Sequence, residues 1–559
     1  MERALSSEMK ITVGDLLDRT ATNYPDTEAL VYADRDLRYT YAQFREKCNI
    51  VAKGLLRLGI KKGDHVAIWA TNIPEWVILQ FATGKIGAIL VTVNTSYKAH
   101  ELEYILKQSD ATTLFLIDRF RDCDYIETIN MVIPELKDSE PGRLSCSKIP
   151  YLKNVLYMGE GRPDGMFNFS VLEDLGKDVT DEELAIVQSS CDPNETINMQ
   201  YTSGTTGFPK GVMLTHFNIV NNAYNVGACM DLKEGQERMC IPVPFFHCFG
   251  CVLSTLNCVC YAVTMIPIVT FNPKEVLEAV SKAQCTILVG VPTMFIMELN
   301  HPDFAKYDVS SLRTGIMAGA PCPLEVMKQV MDKMNMTEIT IAYGQTEASP
   351  VITQTRTKDP VKLRVETVGR ALPDVDVKIV DTETGAEVPR SVQGELCTRG
   401  YLVMKGYYKM EDATANTIDA EGWLHTGDLA TMDEAGYCKI TGRIKNMIIR
   451  GGENIFPREI EEFYYTHDKV KDVQVFGVPD VKYGEQVACA IITAEGQELT
   501  EGELREYSMD RIARHKIPKY FFFLEEYPMT ASGKVQKFKL REWAIKEQDL
   551  KDAANVRTA

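Results

Sequence analysis

Apolar positions in the first half of the chain switch between two rhythms. Ala29 to Tyr32 is a short apolar run that predicts a strand. Thr40 and Gln43 have the spacing of a helix capping box, and behind them Phe44, Cys48, Val51 and Leu55 recur three or four residues apart before Gly59. That spacing predicts an amphipathic helix ending at a glycine. His65 to Ala70 predicts the next strand, Glu75 to about Ala88 a helix, and Ile89 to Val93 a further strand. Strand–helix–strand alternation implies parallel sheets covered by helices. Residues 135–195 are richer in Pro, Gly, Ser and charge and predict loops and irregular connections.

The tail has a different grain. Ile460, Phe463, Tyr464 and His467 give one helix face that is mostly apolar, and Glu459, Glu461 and Glu462 sit in its first turns, where the helix dipole favours negative charge. Val473–Phe476 and Gln486–Thr493 predict strands, and Glu503–Arg514 predicts a helix. The expected fold is therefore α/β: a large N-terminal domain of parallel-sheet subdomains, 1–443, followed by a small α+β domain, 444–559. The boundary is expected near Lys445.

Composition narrows the function classes. The 559 residues are 45% hydrophobic and 25% charged, a balance that excludes a disordered or fibrous chain. Lys plus Arg is 61 against 78 Asp plus Glu, so the formal charge of −17 disfavours nucleic acid and anionic membranes as partners. The 15 scattered cysteines suit a reducing compartment rather than a disulfide scaffold. The first residues carry Glu2 and Glu8 with no apolar run behind them, so a cytoplasmic location is expected. Cys251–Phe271 is 21 uncharged residues, but Ser254, Thr255, Asn257 and Pro267 within it favour a buried helix running into a buried strand over a membrane span.

The densest chemistry is Tyr201–Gly211, YTSGTTGFPKG, which packs three glycines, four hydroxyl residues and Lys210 into eleven positions. A loop of that kind exposes backbone N–H groups and small hydroxyls to an anion, with the lysine adding charge. It is not a Walker loop, because Gly211 follows the lysine where Ser or Thr should stand. A plain surface loop is the competing reading of such a segment in isolation. No GxGxxG, HExxH or GxSxG pattern accompanies it.

The string closely resembles the phosphate loop of the adenylate-forming superfamily. Further matching segments follow in that family's order: PFFHCFG at 244–250, GAPCP at 319–323, YGQTE at 343–347, GWLHTGD at 422–428, GRIKNMIIRGGENIFPREIE at 442–461 and PMTASGKVQK at 528–537. The later segments look most like acyl-CoA synthetases acting on fatty or related carboxylic acids.

The resemblance implies a two-step reaction. A carboxylate is joined to ATP as acyl-adenylate with loss of pyrophosphate, and coenzyme A then displaces AMP. It implies that Thr202, Ser203, Gly204, Thr205, Thr206 and Lys210 hold the β- and γ-phosphates, and that Glu347 with Thr202 binds Mg2+. Thr346 would touch the α-phosphate. Gly319, Ala320 and Pro321 would line the adenine with Tyr343 stacked on it, and Asp428, Arg443 and Ile440 would meet the rest of the nucleoside. Lys534 would be the lysine of adenylation. Lys445 would be the hinge of a rotating C-terminal domain, and Gly451 and Gly452 would line the path of the thiol. Taken singly, Asp428 could be a turn residue, Tyr343 a core aromatic and Glu347 a helix-start acid.

His247, within PFFHCFG, is read in the family as a gate beside the acyl carboxylate, with thiol deprotonation as a further role. Small-acid relatives carry tryptophan at the position of Gly344, so glycine implies room for acids longer than acetate. The segment around Thr293, VPTMF, would line that pocket. Cys248, Cys251, Cys258 and Cys260 stand in apolar surroundings, which disfavours a zinc site. The expected partners are a small carboxylic acid, ATP and CoA, with self-association left open. Transfer to a carrier protein, or nucleotide binding without catalysis, are the competing functions.

Overall fold

The structure, a computed structural model, describes residues 9–202, 209–320, 322, 324–450, 453–480, 483–509, 511–512, 514–530, 534–548 and 550. Ser203, Gly204, Thr205, Thr206, Pro321, Gly451 and Gly452 lie outside the described residues. The chain divides into two compact units, Met1–Val377 with Thr398–Leu424, and Lys378–Cys397 with His425–Ala559.

The first unit holds two large, mostly parallel sheets. In the nine-stranded one, Thr264–Pro267, Arg238–Ile241, Ile287–Gly290, Thr314–Ala318 and Thr340–Gly344 run parallel as consecutive neighbours. Antiparallel strands close its two edges. In the eight-stranded one, Thr196–Thr202 runs parallel to Ile89–Thr92 and antiparallel to Lys210–Thr215.

The expected local elements form for the expected reasons. Thr40 and Gln43 make a reciprocal capping box at the start of helix Tyr41–Arg57, and Phe44, Cys48, Val51 and Leu55 are its buried face. Gly59 follows with φ +94°. The uncharged stretch from Cys251 becomes a π-helical turn Cys251–Leu256, a helical turn Asn257–Cys260 and the buried strand Thr264–Pro267. Among the described residues no helix is long and apolar enough to cross a membrane.

Residues 135–195 hold more structure than their composition implies. Strand Asn154–Tyr157 joins the eight-stranded sheet beside Thr113–Leu116. Helix Asp181–Ser189 starts at a Thr180–Glu183 capping box that the polar composition obscured.

A four-stranded sheet pairs Val375–Val380, Gly394–Gly400, Leu424–Met432 and Cys438–Arg443 in that order. Residues 378–397 and 425–443 thus belong with the tail, and position 443 lies inside the second unit. A five-stranded sheet is built on the long pair Val470–Asp480 and Gly484–Thr493. Both faces are buried, and the period of two sorts them. Val473, Val475, Val487, Cys489 and Ile491 pack with Ile460, Tyr464 and Leu504, while Phe476, Val478, Ala488 and Ala490 pack with Leu540 and Ala544. Helices differ from expectation at their ends: one spans Pro457–Tyr464 and leaves His467 outside, and another spans Glu501–Ser508.

Candidate active site

Five parallel strands have a common carboxyl end, and in open α/β sheets ligands bind in the crevice at such ends. The segments that leave this end of the nine-stranded sheet carry the sequence-predicted residues. Arg238–Ile241 leads to His247, Ile287–Gly290 to Thr293, Thr314–Ala318 to Gly319 and Ala320, and Thr340–Gly344 ends in Tyr343, Gly344, Thr346 and Glu347. The last two strands are direct neighbours in register, Ala318 opposite Ala342, so the 319–320 and 343–347 segments emerge side by side.

His247 caps a short turn, Cys248–Gly250, and its Nδ1 accepts the Phe249 N–H at 3.1 Å. An accepting Nδ1 means the neutral ring carries its proton on Nε2. Asn72 holds the approach to this turn: its Oδ1 accepts the Phe245 N–H at 2.8 Å, and its Nδ2 donates to the carbonyls of Val243 and Ile268. Gly250 is required by space, since a Cβ there would lie 2.2 Å from the Pro244 carbonyl oxygen. Cys248 and Cys251 are fully buried. Burial lifts the Cys248 thiol well above its ordinary range, and the neighbouring Cys251 thiol and the Glu347 charge push the same way.

Gly344 also answers to backbone. A Cβ would stand 1.9 Å from the Pro350 carbonyl oxygen, so any side chain there needs a different path for 344–351. Thr293 is half-buried in helix Pro292–Leu299, beside Met294 and Phe295, which are buried.

The phosphate-loop candidate joins the antiparallel strands Thr196–Thr202 and Lys210–Thr215, with Thr202 opposite Lys210 at its base. Helix Ala99–Gln108 steadies that base: Tyr104 Oη donates to the Pro209 carbonyl at 3.0 Å, and Tyr201 Oη donates to Gln108. The Lys210 Nζ lies 4.2 Å from the centre of the Tyr407 ring, a cation–π contact. The Tyr407 hydroxyl donates to Glu347 Oε1 at 2.8 Å. Burial, with the Glu347 charge beside it, raises the Tyr407 hydroxyl above its ordinary range and keeps it a donor. Lys210, Tyr407 and Glu347 thus form one connected set. Tyr407 was missed by sequence reasoning; its only signal was the Gly-Tyr-Tyr run after Met404 and Lys405.

In the second unit, Asp428 and Arg443 are opposite each other in an antiparallel pair, and Arg443 Nε meets Asp428 Oδ1 at 2.8 Å. Ile440, half-buried, is opposite Ala430 in the same pair. Around Asp428 lies a group the sequence did not single out. Glu395 Oε1 accepts the Gly427 N–H at 2.9 Å, and Glu395 Oε2 is 2.8 Å from His425 Nδ1. The backbone at Lys445 forms part of a 3-10 turn, Ile444–Asn446. Lys534 is exposed; its carbonyl accepts the Thr530 N–H at 2.7 Å and its N–H donates to Thr530 Oγ1 at 2.9 Å.

Comparison with known proteins follows the same lines. Residues 17–408 match the family model of AMP-binding enzymes, and residues 459–534 match that of the AMP-binding enzyme C-terminal domain. The chain is 61% identical over 534 residues to YngI of Bacillus subtilis, described as an acyl-CoA synthetase, covering 96% of this chain and 97% of that protein. It is 42% identical over 537 residues to the human mitochondrial medium-chain acyl-CoA ligase ACSF2, covering 95% of this chain and 87% of the relative. Among solved structures, the anthranilate CoA ligase AuaEII in complex with anthranoyl-AMP superposes with a TM-score of 0.82 at 25% identity, covering 96% of this chain and 97% of the other. A Mycobacterium tuberculosis fatty acyl CoA synthetase superposes with a TM-score of 0.73 at 29% identity, covering 96% and 99%.

Proposed function

The chain belongs to the AMP-binding enzyme family, and from that premise we propose that it is an AMP-forming acyl-CoA synthetase acting on a medium-chain monocarboxylic acid. A carboxylate has no usable leaving group. Its oxygen attacks the α-phosphorus of ATP, the bond to pyrophosphate breaks, and the acyl group becomes a mixed anhydride with AMP. The thiol of CoA then attacks the acyl carbon, and AMP departs.

The observation that carries this reading is the connected set Lys210, Tyr407 and Glu347 at the base of the Thr202–Lys210 loop. A cation held on an aromatic face and a carboxylate oriented by a tyrosine suit a polyphosphate with its counter-ion. The Glu347 carboxylate and the Thr202 hydroxyl are hard oxygen donors, the set that Mg2+ takes together with phosphate oxygens. Magnesium, when bound, offsets charge on the triphosphate. Gly319, Ala320 and Tyr343 leave neighbouring strand ends and offer backbone and ring face to the adenine. Asp428 accepts hydrogen bonds from the ribose hydroxyls, with Arg443 holding its carboxylate. Lys534 brings positive charge to the reacting carboxylate and α-phosphate.

His247 stands beside the acyl carboxylate with its Nε2–H as donor, which suits an orienting role better than that of a base. The buried, apolar Met294 and Phe295 beside Thr293 suit the aliphatic body of an acid longer than acetate. Each buried CH2 adds about 0.8 kcal/mol, so preference should rise with chain length to a cutoff. The test is AMP release from ATP and CoA with straight-chain acids of two to eighteen carbons, beside benzoate and cyclohexane carboxylate. A maximum among the medium lengths is expected. No CoA-dependent AMP release with any acid would refute the proposal.

A further inference from the structure

Asp428 is set by the three residues before it and by one neighbouring strand. Gly427 has φ +70°, a left-handed turn that directs the chain into Asp428. Strand Gly394–Gly400, next to Leu424–Met432 in the sheet, holds both sides of that turn. Glu395 uses both carboxylate oxygens, Oε1 on the Gly427 N–H at 2.9 Å and Oε2 on His425 Nδ1 at 2.8 Å. Thr426 Oγ1 donates to the Leu396 carbonyl at 2.7 Å and accepts the Asp428 N–H at 3.1 Å. The Glu395 side chain is only 13% exposed, so its hydrogen bonds are shielded from water.

Glu395, Cys397 and His425 also bring ligand-type atoms within 4.8 Å of one another, a grouping that could hold a metal. The carboxylate, however, is already engaged at both oxygens along the 425–427 backbone and ring. That arrangement describes a clamp on the turn.

We propose that Glu395 is a positioning residue for ribose recognition: by fixing His425 and Gly427 it holds the Asp428 carboxylate where it accepts the ribose hydroxyls. This rests on the assignment of Asp428 to the ribose under the proposed function. The reach of glutamate matters, because one carboxylate must span from the ring at 425 to the backbone at 427. Its charge matters less, since a glutamine offers an acceptor to Gly427 and a donor that a neutral imidazole can accept by moving its proton to Nε2.

The experiment is ATP–pyrophosphate exchange by the full chain with ATP and with 2′-deoxyATP, which lacks one hydroxyl. Wild type should prefer ATP by about tenfold or more in kcat/KM, the worth of one hydrogen bond to a charged group. Glu395→Ala should reduce that preference to about twofold, chiefly through the KM for ATP, while Glu395→Gln stays within about threefold of wild type. Thr426→Val, which removes the other half of the clamp while keeping side-chain shape, should shift the preference in the same direction and carries the test if Glu395→Ala does not fold. Wild-type preference in folded Glu395→Ala or in Thr426→Val would overturn the proposal. So would zinc bound one to one by wild type and lost in Glu395→Gln. Asp428→Ala is the separate control: if it keeps the preference for ATP, the ribose assignment itself fails, whereas its loss there with retention in Glu395→Ala sinks only the role of Glu395.

Discussion

Glu298 lies on helix Pro292–Leu299, the helix that carries Thr293 and Met294, and is 1% exposed. Neither carboxylate oxygen has a hydrogen-bonding partner among the described residues. Burial alone pushes this carboxyl from its ordinary 4.5 up to about 8, so in the folded protein it is a neutral acid at pH 7. The unfolded chain loses that proton near pH 4.5. Between the two values the native state binds one proton more than the unfolded state, so stability falls as pH rises. The contribution is full below about 4.5, declines through the interval and levels off above about 8. Its slope is about 1.4 kcal/mol per pH unit, or about 3 kcal/mol between the unfolded value and pH 7. Glu298→Gln keeps the shape of the protonated acid and cannot ionise. Hydrogen exchange of the peptide spanning 287–300, compared between variant and wild type at each pH, cancels the intrinsic exchange rate and isolates local opening. The protection ratio, variant over wild type, should grow about tenfold per pH unit from 5.5 to 7.5. A ratio independent of pH over that range would show that Glu298 ionises as an ordinary surface acid and would refute the reasoning.

Three further outcomes concern the chemistry. Lys534→Ala should lower acyl-adenylate formation by about 10²–10³-fold, the scale of losing one electrostatic stabiliser, with thioester formation from supplied acyl-AMP much less affected; equal loss in both half-reactions, measured by stopped-flow quench, would contradict that division. Lys445→Pro fixes one backbone torsion in the Ile444–Asn446 turn and should slow the thioester step more than adenylation; full turnover in the variant would argue against a hinge there. Tyr407→Phe keeps the ring under Lys210 but removes the donor to Glu347, so kcat/KM for ATP at fixed magnesium should drop about tenfold while the KM for the acid holds steady; an effect confined to the acid would detach Tyr407 from the phosphate end.

What the sequence disclosed depended on whether a feature is local. The Thr40–Gln43 box and the face through Phe44, Cys48, Val51 and Leu55 were legible because capping and helical period act within a few residues. Thr180–Glu183 has the same chemistry, yet the helix behind it buries only Leu184, so no apolar face marked it. The site divides in the same way. Glu347 and Asp428 stood out through strings that match a known family, but the residues that orient them come from elsewhere in the chain. Tyr407 is 60 residues from Glu347, and Glu395 is 30 from His425 and 32 from Gly427. Their partnership exists only because strands distant in sequence become neighbours in a sheet. Gly344 looked like a choice about acyl length. The 1.9 Å approach to the Pro350 carbonyl adds a second constraint that no local pattern contains. Removing the glycine would therefore test pocket depth and backbone path together, and only the combination of a shorter-acid preference with unchanged stability would assign its effect to the pocket.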